Sequence, residues 1–198
     1  ILPAYWLALI VMLLIGAVEV GGASGFFFSA FLLNIYSTTH LLSGITQSWS
    51  LATELSFYLI VPGLAHGLLL LTKHKPLRHR GVIALCFAAS LYLSSICFRL
   101  AVYFIEPSFS KIIPFWLPSL VDIFALGIAL AILAELSHTQ EWAKRVCSFV
   151  SRWATASVIV ALALFWIVST QFSLAVGLDS SGFVRETLRQ GFYGLIGL

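Results

Sequence analysis

Charge is what this sequence has least of. Only 10% of its 198 residues are Asp, Glu, Lys or Arg, where a soluble domain carries about 25%. Apolar side chains make up 60% of the chain, and the mean hydropathy is +1.01. A single core grows only so far relative to its surface, so no water-soluble fold of this length hides that much apolar area. The composition excludes a soluble domain and specifies an integral membrane protein. Cysteine is also scarce. Cys86, Cys97 and Cys147 show no paired spacing, so neither a disulfide framework nor a metal site is expected. There is no Walker loop, dinucleotide-binding glycine fingerprint, Ser-His-Asp order or zinc-binding HExxH. The net charge of +3 marks no nucleic-acid face, because the basic residues sit in loops. No basic n-region precedes the first apolar run, so no signal peptide is read. The chain opens at Ile1 and closes within "GFYGLIGL". The expectation is a single membrane domain, residues 1–198, that is an internal piece of a longer protein.

Crossing a bilayer takes about 20 apolar residues. Spans on that measure fall at Ala4–Val20, Ser48–Leu71, Gly81–Ile105, Phe115–Ala134 and Trp153–Gly177, and a sixth begins near Gly191. The expected fold class is all-α, a polytopic transmembrane helix bundle of about five to six spans. The stretch "GFFFSAFLLNIYSTTHLLSGI" holds Asn34, His40 and several hydroxyls. It is expected as a partly buried or re-entrant segment outside the bilayer core. Two loops are basic: "KHKPLRHR", with Lys73, Lys75, Arg78 and Arg80, and "EWAKRVCSFVSRW", with Lys144, Arg145 and Arg152. The excess of positive charge on the inner side places loops 73–80 and 144–152 in the cytoplasm of a cell (inner) membrane. Segments Gly21–Gln47, Glu106–Pro114 and Leu178–Gln190 then face outward.

Inside the second span, "SWSLATELSFYLIVP" puts an acid among apolar residues. Positions four apart share a helix face, and from Ser50 that face reads Ser50, Glu54, Tyr58, Pro62, His66. At about 1.5 Å per residue the stripe covers about 24 Å, most of a bilayer core. An ionisable group at such a place usually faces a bundle interior or a wet cavity and marks a functional site. The plainer reading of Glu54, one turn inside the outer interface, is that it reaches water. Arg99, in "SSICFRLAVYF", either pairs with an acid in the bundle, grips an anionic group or snorkels outward. Asp122, in "LPSLVDIFALGIALAIL", matches Arg99 in depth and is its natural partner; it also suits a helix start beside Pro118 and Ser119. His40 is either a general base near neutral pH or a solvated loop residue. Trp49 falls at a span end, where an aromatic belt alone accounts for it.

The same stretch resembles the Trp-Ser-Leu-x-x-Glu-x-x-Phe-Tyr-Leu-x-x-Pro signature of the membrane-bound acyltransferase 3 family. "ILPAYWLAL" looks like the helix after that family's basic loop. Phe124, Gly127 and Ala131 look like its later Phe-x-x-Gly-x-x-x-Ala helix, and the three pieces come in the family's order. One departure is Leu55, where many members have a polar residue. The resemblance implies transfer of an acyl group, often acetyl, from acyl-coenzyme A to a hydroxyl of a surface polysaccharide, lipopolysaccharide or related acceptor. It implies catalytic roles for Glu54, Tyr58 and Ser50, and substrate contacts for Trp49, Arg99 and Asp122. Acyl-coenzyme A is the donor substrate, no bound cofactor is expected, and the partners are the acceptor sugar and the lipid bilayer. The family's histidine on an Arg-to-His motif has no match here, so these residues alone are expected to be inactive. From the residues themselves, two rivals stay open. One is a transporter or flippase with a polar conduit; the other is a structural subunit using Glu54 and Arg99 as packing glue.

Overall fold

The computed structural model describes residues 2–37, 39–40, 43–105, 113–171 and 183–197. Among them the secondary structure is entirely helical: α1 (Leu2–Leu14), α2 (Gly22–Ala30), α3 (Ser48–Thr72), α4 (Leu77–Ile105), α5 (Leu117–Ser137), α6 (Glu141–Arg152), α7 (Ala154–Gln171) and α8 (Phe183–Gly197), with 3₁₀ turns at Asn34–Tyr36 and Ile113–Phe115. Lys111, most of the expected loop Glu106–Pro114, the start of Leu178–Gln190 and the end of the span Trp153–Gly177 lie outside the described residues.

Helices are what these apolar runs must form. Lipid offers no hydrogen bonds, so a spanning segment satisfies its backbone internally. Helices α3, α4 and α5 are long and apolar enough to cross a membrane, and the pair α6–α7 makes a fourth candidate if it counts as one bent span. At about 1.5 Å per residue, even α5 reaches about 31 Å, the thickness of a hydrocarbon core. The chain is a multi-pass membrane protein. Its spanning hydroxyls turn back onto their own helices. Ser56 donates to Ala52 O at 2.8 Å, Thr72 to Leu68 O at 2.8 Å, Ser90 to Phe87 O and Ser94 to Leu91 O both at 2.7 Å. Such back-bonding lets polar side chains sit among apolar neighbours.

Three expectations change. The span expected at Ala4–Val20 ends early, because Gly16 takes a left-handed φ of 70°. Gly16 N donates to Leu13 O at 3.1 Å and Ala17 N to Met12 O at 2.9 Å, the paired bonds that close a helix C-terminus. Second, the basic stretch expected as the loop 144–152 is helix α6. Third, Gln190, expected in an outward segment, lies inside α8.

Two compact units divide the chain: Ile1–Pro62 with Ile112–Leu117, and Gly63–Lys111 with Pro118–Leu198. In the first, Tyr5 and Leu9 of α1, Leu32, Ile35 and Ala52 of α3 form the core. Tyr5 Oη donates to Ser29 O at 2.7 Å and Trp6 Nε1 to Ala30 O at 2.8 Å, which ties α1 to the end of α2. Asn34 Nδ2 donates to Ser48 Oγ at 3.2 Å and Trp116 Nε1 to Ile35 O at 2.8 Å. The segment 21–47 is thus partly buried, with Ser29, Asn34 and Ile35 enclosed. Leu32 closes α2 at a φ of 58°. A bulky residue is strained there by about 1–3 kcal/mol, and its burial in the core keeps it in place. In the second unit, glycines let helices approach closely. A Cβ at Gly81 of α4 would stand 2.4 Å from Leu136 Cδ2 of α5, and one at Gly194 of α8 would stand 2.8 Å from Leu126 Cδ1 of α5.

Candidate functional site

Polar side chains of the spanning helices gather in two places. The first is the N-terminal half of α3. Tyr58 Oη donates to Glu54 Oε1 at 2.6 Å, a short bond of the kind an ionised acceptor makes. The two stand one helical turn apart, as the four-residue spacing dictates. Glu54 is half-buried, and Tyr58 is 51% exposed. Ser50 Oγ turns to its own backbone and donates to Gln47 O at 3.1 Å. The Trp49 ring lies against Phe115 with centroids 5.2 Å apart.

The polar stripe faces outward along α3, from Ser50 to Pro62 in one unit and at His66 in the other. Ser50, Tyr58, Pro62 and His66 are exposed, while Ser48, Ala52 and Thr53 are the buried positions of α3. Small side chains decide this. Ala52 lets the core residues approach closely, and Thr53 Oγ1 bonds both Trp49 O at 3.0 Å and Phe115 O at 2.8 Å. A bulky Tyr58 has no such place in the core. His40, the loop candidate, stacks on Phe28 with ring centroids 4.9 Å apart.

The second place is in the other unit and is fully enclosed. Arg99 of α4 and Asp122 of α5 form an ion pair, Nη2 to Oδ2 at 2.8 Å, with side chains only 8% and 4% exposed. The depth match read from the sequence is realised as contact. Arg99 Nη1 also donates to Ser119 O at 2.7 Å and to Gln190 Oε1 of α8. Asp122 Oδ1 accepts from Ile123 N at 3.0 Å. One guanidinium fork therefore joins α4, α5 and α8, a use that a lysine's single ammonium could not copy. Neutralising the charge inside the cluster is what makes its burial tolerable. Further buried atoms in this unit include Ser95 Oγ, Arg99 Nε and Thr187 Oγ1, which make no hydrogen bond among the described residues. Ser95 lies one turn before Arg99, and Thr187 three residues before Gln190, so each shares a face with a member of the cluster.

Two members were missed from sequence. Ser119 contributes its carbonyl, which every residue possesses. Gln190 could have been found by extending the 3.6-residue period back from the apolar end of α8 (Thr187, Gln190 and Gly194 share its inward face). Arg99–Asp122 is an ion pair, and among the described residues no three His, Cys, Asp or Glu side chains gather as a metal site. The three cysteines are free. No protein-family model matches the chain, and comparison with curated proteins and with solved structures returns no match.

Proposed function

We propose that this chain is the membrane part of an acyltransferase that moves an acyl group, acetyl in the first instance, from acyl-coenzyme A to a hydroxyl of a cell-surface carbohydrate. The observation that carries the proposal is the Glu54–Tyr58 pair, joined at 2.6 Å and open at the surface of its unit. It sits inside the stretch whose residues resemble the acyltransferase 3 signature. A carboxylate set in an apolar spanning helix is a candidate functional site by default.

In the proposed reaction the acceptor oxygen attacks the thioester carbonyl, an O-acyl ester forms, the C–S bond breaks, and the acceptor's proton leaves with the coenzyme thiolate. Proton removal needs a general base near neutral pH, which the resemblance assigns to a histidine with no match in these residues. Glu54 would hold a cationic partner in place, and Tyr58 and Ser50 would donate hydrogen bonds to acceptor or oxyanion. Trp49 would flank the acceptor. The basic residues at 73–80 and 144–152 orient these segments to the cytoplasm, where acyl-coenzyme A is made, and Lys73, Lys75 and Arg80 would attract its phosphates. Arg99 and Asp122 already satisfy each other; in this proposal they brace the helices of their own unit.

The test uses the complete protein in membranes with labelled acetyl-coenzyme A. Label should pass to the surface glycan in the wild type, and Glu54→Gln should lose most of it while still inserting and folding. Equal labelling would remove Glu54 from the mechanism. A cysteine at the exposed Lys73 should resist an impermeant reagent applied from outside; modification there would invert the topology.

A second reading, a transporter or flippase with a polar conduit, draws on the enclosed unit. Buried Ser95, Arg99 and Thr187 with unused hydrogen-bonding atoms suit a polar path. Vesicle flux of a lipid-linked sugar without acyl transfer would favour it.

A further inference from the structure

We infer that α6 lies in the plane of the membrane and beds its apolar face in an interface enriched in anionic lipid headgroups. The helix Glu141–Arg152 meets α7 at a 70° bend. The bend falls at Trp153, whose N–H donates to both Phe149 O and Val150 O at 3.1 Å. Helix α7 is apolar from Val158 to Val168 and exposes Val158, Ile159, Leu162 and Trp166, as a lipid-facing segment does. With α7, 18 residues and about 27 Å long, set along the bilayer normal, a helix at 70° to it runs close to the membrane plane.

The faces of α6 fit that setting. At about 100° per residue, Trp142, Val146, Phe149, Val150 and Trp153 fall in one sector, while Glu141, Lys144, Arg145, Ser148, Ser151 and Arg152 fall in the opposite one. The five apolar residues are all exposed, Phe149 at 65%. Along the edge between the sectors, Ala143 is completely buried and Cys147 is half-buried. The helix is thus anchored to its unit along one edge and presents a separate apolar face outward. A helix with segregated faces, low net hydrophobicity and basic residues opposite Trp and Phe is the type that lies in a membrane interface.

Charge complementarity chooses the occupant. The polar sector carries three basic side chains and one acidic, a net of +2. Basic residues held at the headgroup level draw anionic lipid to them. A protein partner on the Trp142–Phe149 face would not engage the cationic sector opposite it. Trp142 and Trp153 near the two ends sit where amphipathic rings favour the interface.

The experiment places a fluorescent label on the complete protein reconstituted in phosphatidylcholine vesicles containing a minor fraction of phosphatidylglycerol. One label goes on Phe149→Cys and a second on Ser148→Cys, each in a background with Cys86, Cys97 and Cys147 replaced by Ala. Brominated lipid should quench the Phe149 label, and aqueous iodide should quench the Ser148 label. Brominated phosphatidylglycerol should quench at Phe149 at least about twofold better than brominated phosphatidylcholine at equal fraction. The triple substitution Lys144→Gln, Arg145→Gln, Arg152→Gln should abolish that preference while lipid quenching persists. A Phe149 label reached by iodide would overturn the in-plane setting. A Phe149 label reached by neither quencher would mean that protein, such as a second copy, covers the face, and would also overturn it. Equal quenching by the two brominated lipids, or a preference that survives the triple substitution, would overturn the anionic selection.

Discussion

Asp122 and Glu54 are both carboxylates set in apolar helices, and they meet opposite environments. Asp122 is enclosed and paired with Arg99 at 2.8 Å. Glu54 is half-buried, stays among side chains open at the surface of its unit, and takes a tyrosine hydroxyl as its partner at 2.6 Å. An enclosed charge with an opposite partner is complete and has little left to offer a substrate. An accessible carboxylate held by one hydroxyl retains lone pairs for another group. Burial therefore separates bracing from chemistry better than the mere presence of charge in a span. By that criterion the α4–α5–α8 cluster braces its unit and the α3 pair is the working group of the proposed transferase.

Several changes would break or sharpen the contrast. The largest effect is expected from Asp122→Ala, which leaves Arg99 buried and unpaired. Removing one partner of a buried pair costs about 3–5 kcal/mol, readable as a loss of folded protein in detergent denaturation. Replacing both, Arg99→Leu with Asp122→Leu, should do much less harm than either single change, because no orphan charge remains. Gly81→Val comes next. Its added carbons meet Leu136 where a Cβ would already stand 2.4 Å away, and overpacking of this kind costs about 1–3 kcal/mol. Gln190→Ala withdraws an acceptor from Arg99 Nη1, with an expected loss of about 1–3 kcal/mol for a buried donor left short of a partner. The smallest stability effect belongs to Tyr58→Phe. Removing a hydroxyl from an exposed pair should change folding by less than about 1 kcal/mol, while transfer of labelled acyl groups should fall.

Of the five to six spans expected, those of α3, α4 and α5 were legible, because bilayer thickness and apolar run length measure the same thing; among the described residues three helices, or four spans with the bent α6–α7 pair, are long and apolar enough to cross. Ser48–Leu71 was read and Ser48–Thr72 is observed; Phe115–Ala134 was read and Leu117–Ser137 is observed. The first span was overrun because Gly16 carries no hydropathy signal against a helix, although its left-handed backbone ends one. By its charges the α6 stretch reads as a loop, whereas its 3.6-residue period carries the helix. The Arg99–Asp122 contact was legible as one of the alternatives that matched depth allowed. Which way the Ser50–Glu54–Tyr58 stripe faces was not legible. Periodicity places residues on a face, but Ala52 and Thr53 decide which face packs, through close approach and a bond to the Phe115 carbonyl. The Ser119 carbonyl leaves no trace in a sequence, since its role depends on backbone position.

The contrast between the two carboxylates is tested most directly by paired double-mutant cycles for folding stability in detergent, one on Arg99 and Asp122, the other on Glu54 and Tyr58. A coupling of more than about 2 kcal/mol is expected for the enclosed pair and less than about 1 kcal/mol for the open one. Equal couplings, or a larger value at Glu54 and Tyr58, would contradict the assignment of bracing to one pair and chemistry to the other.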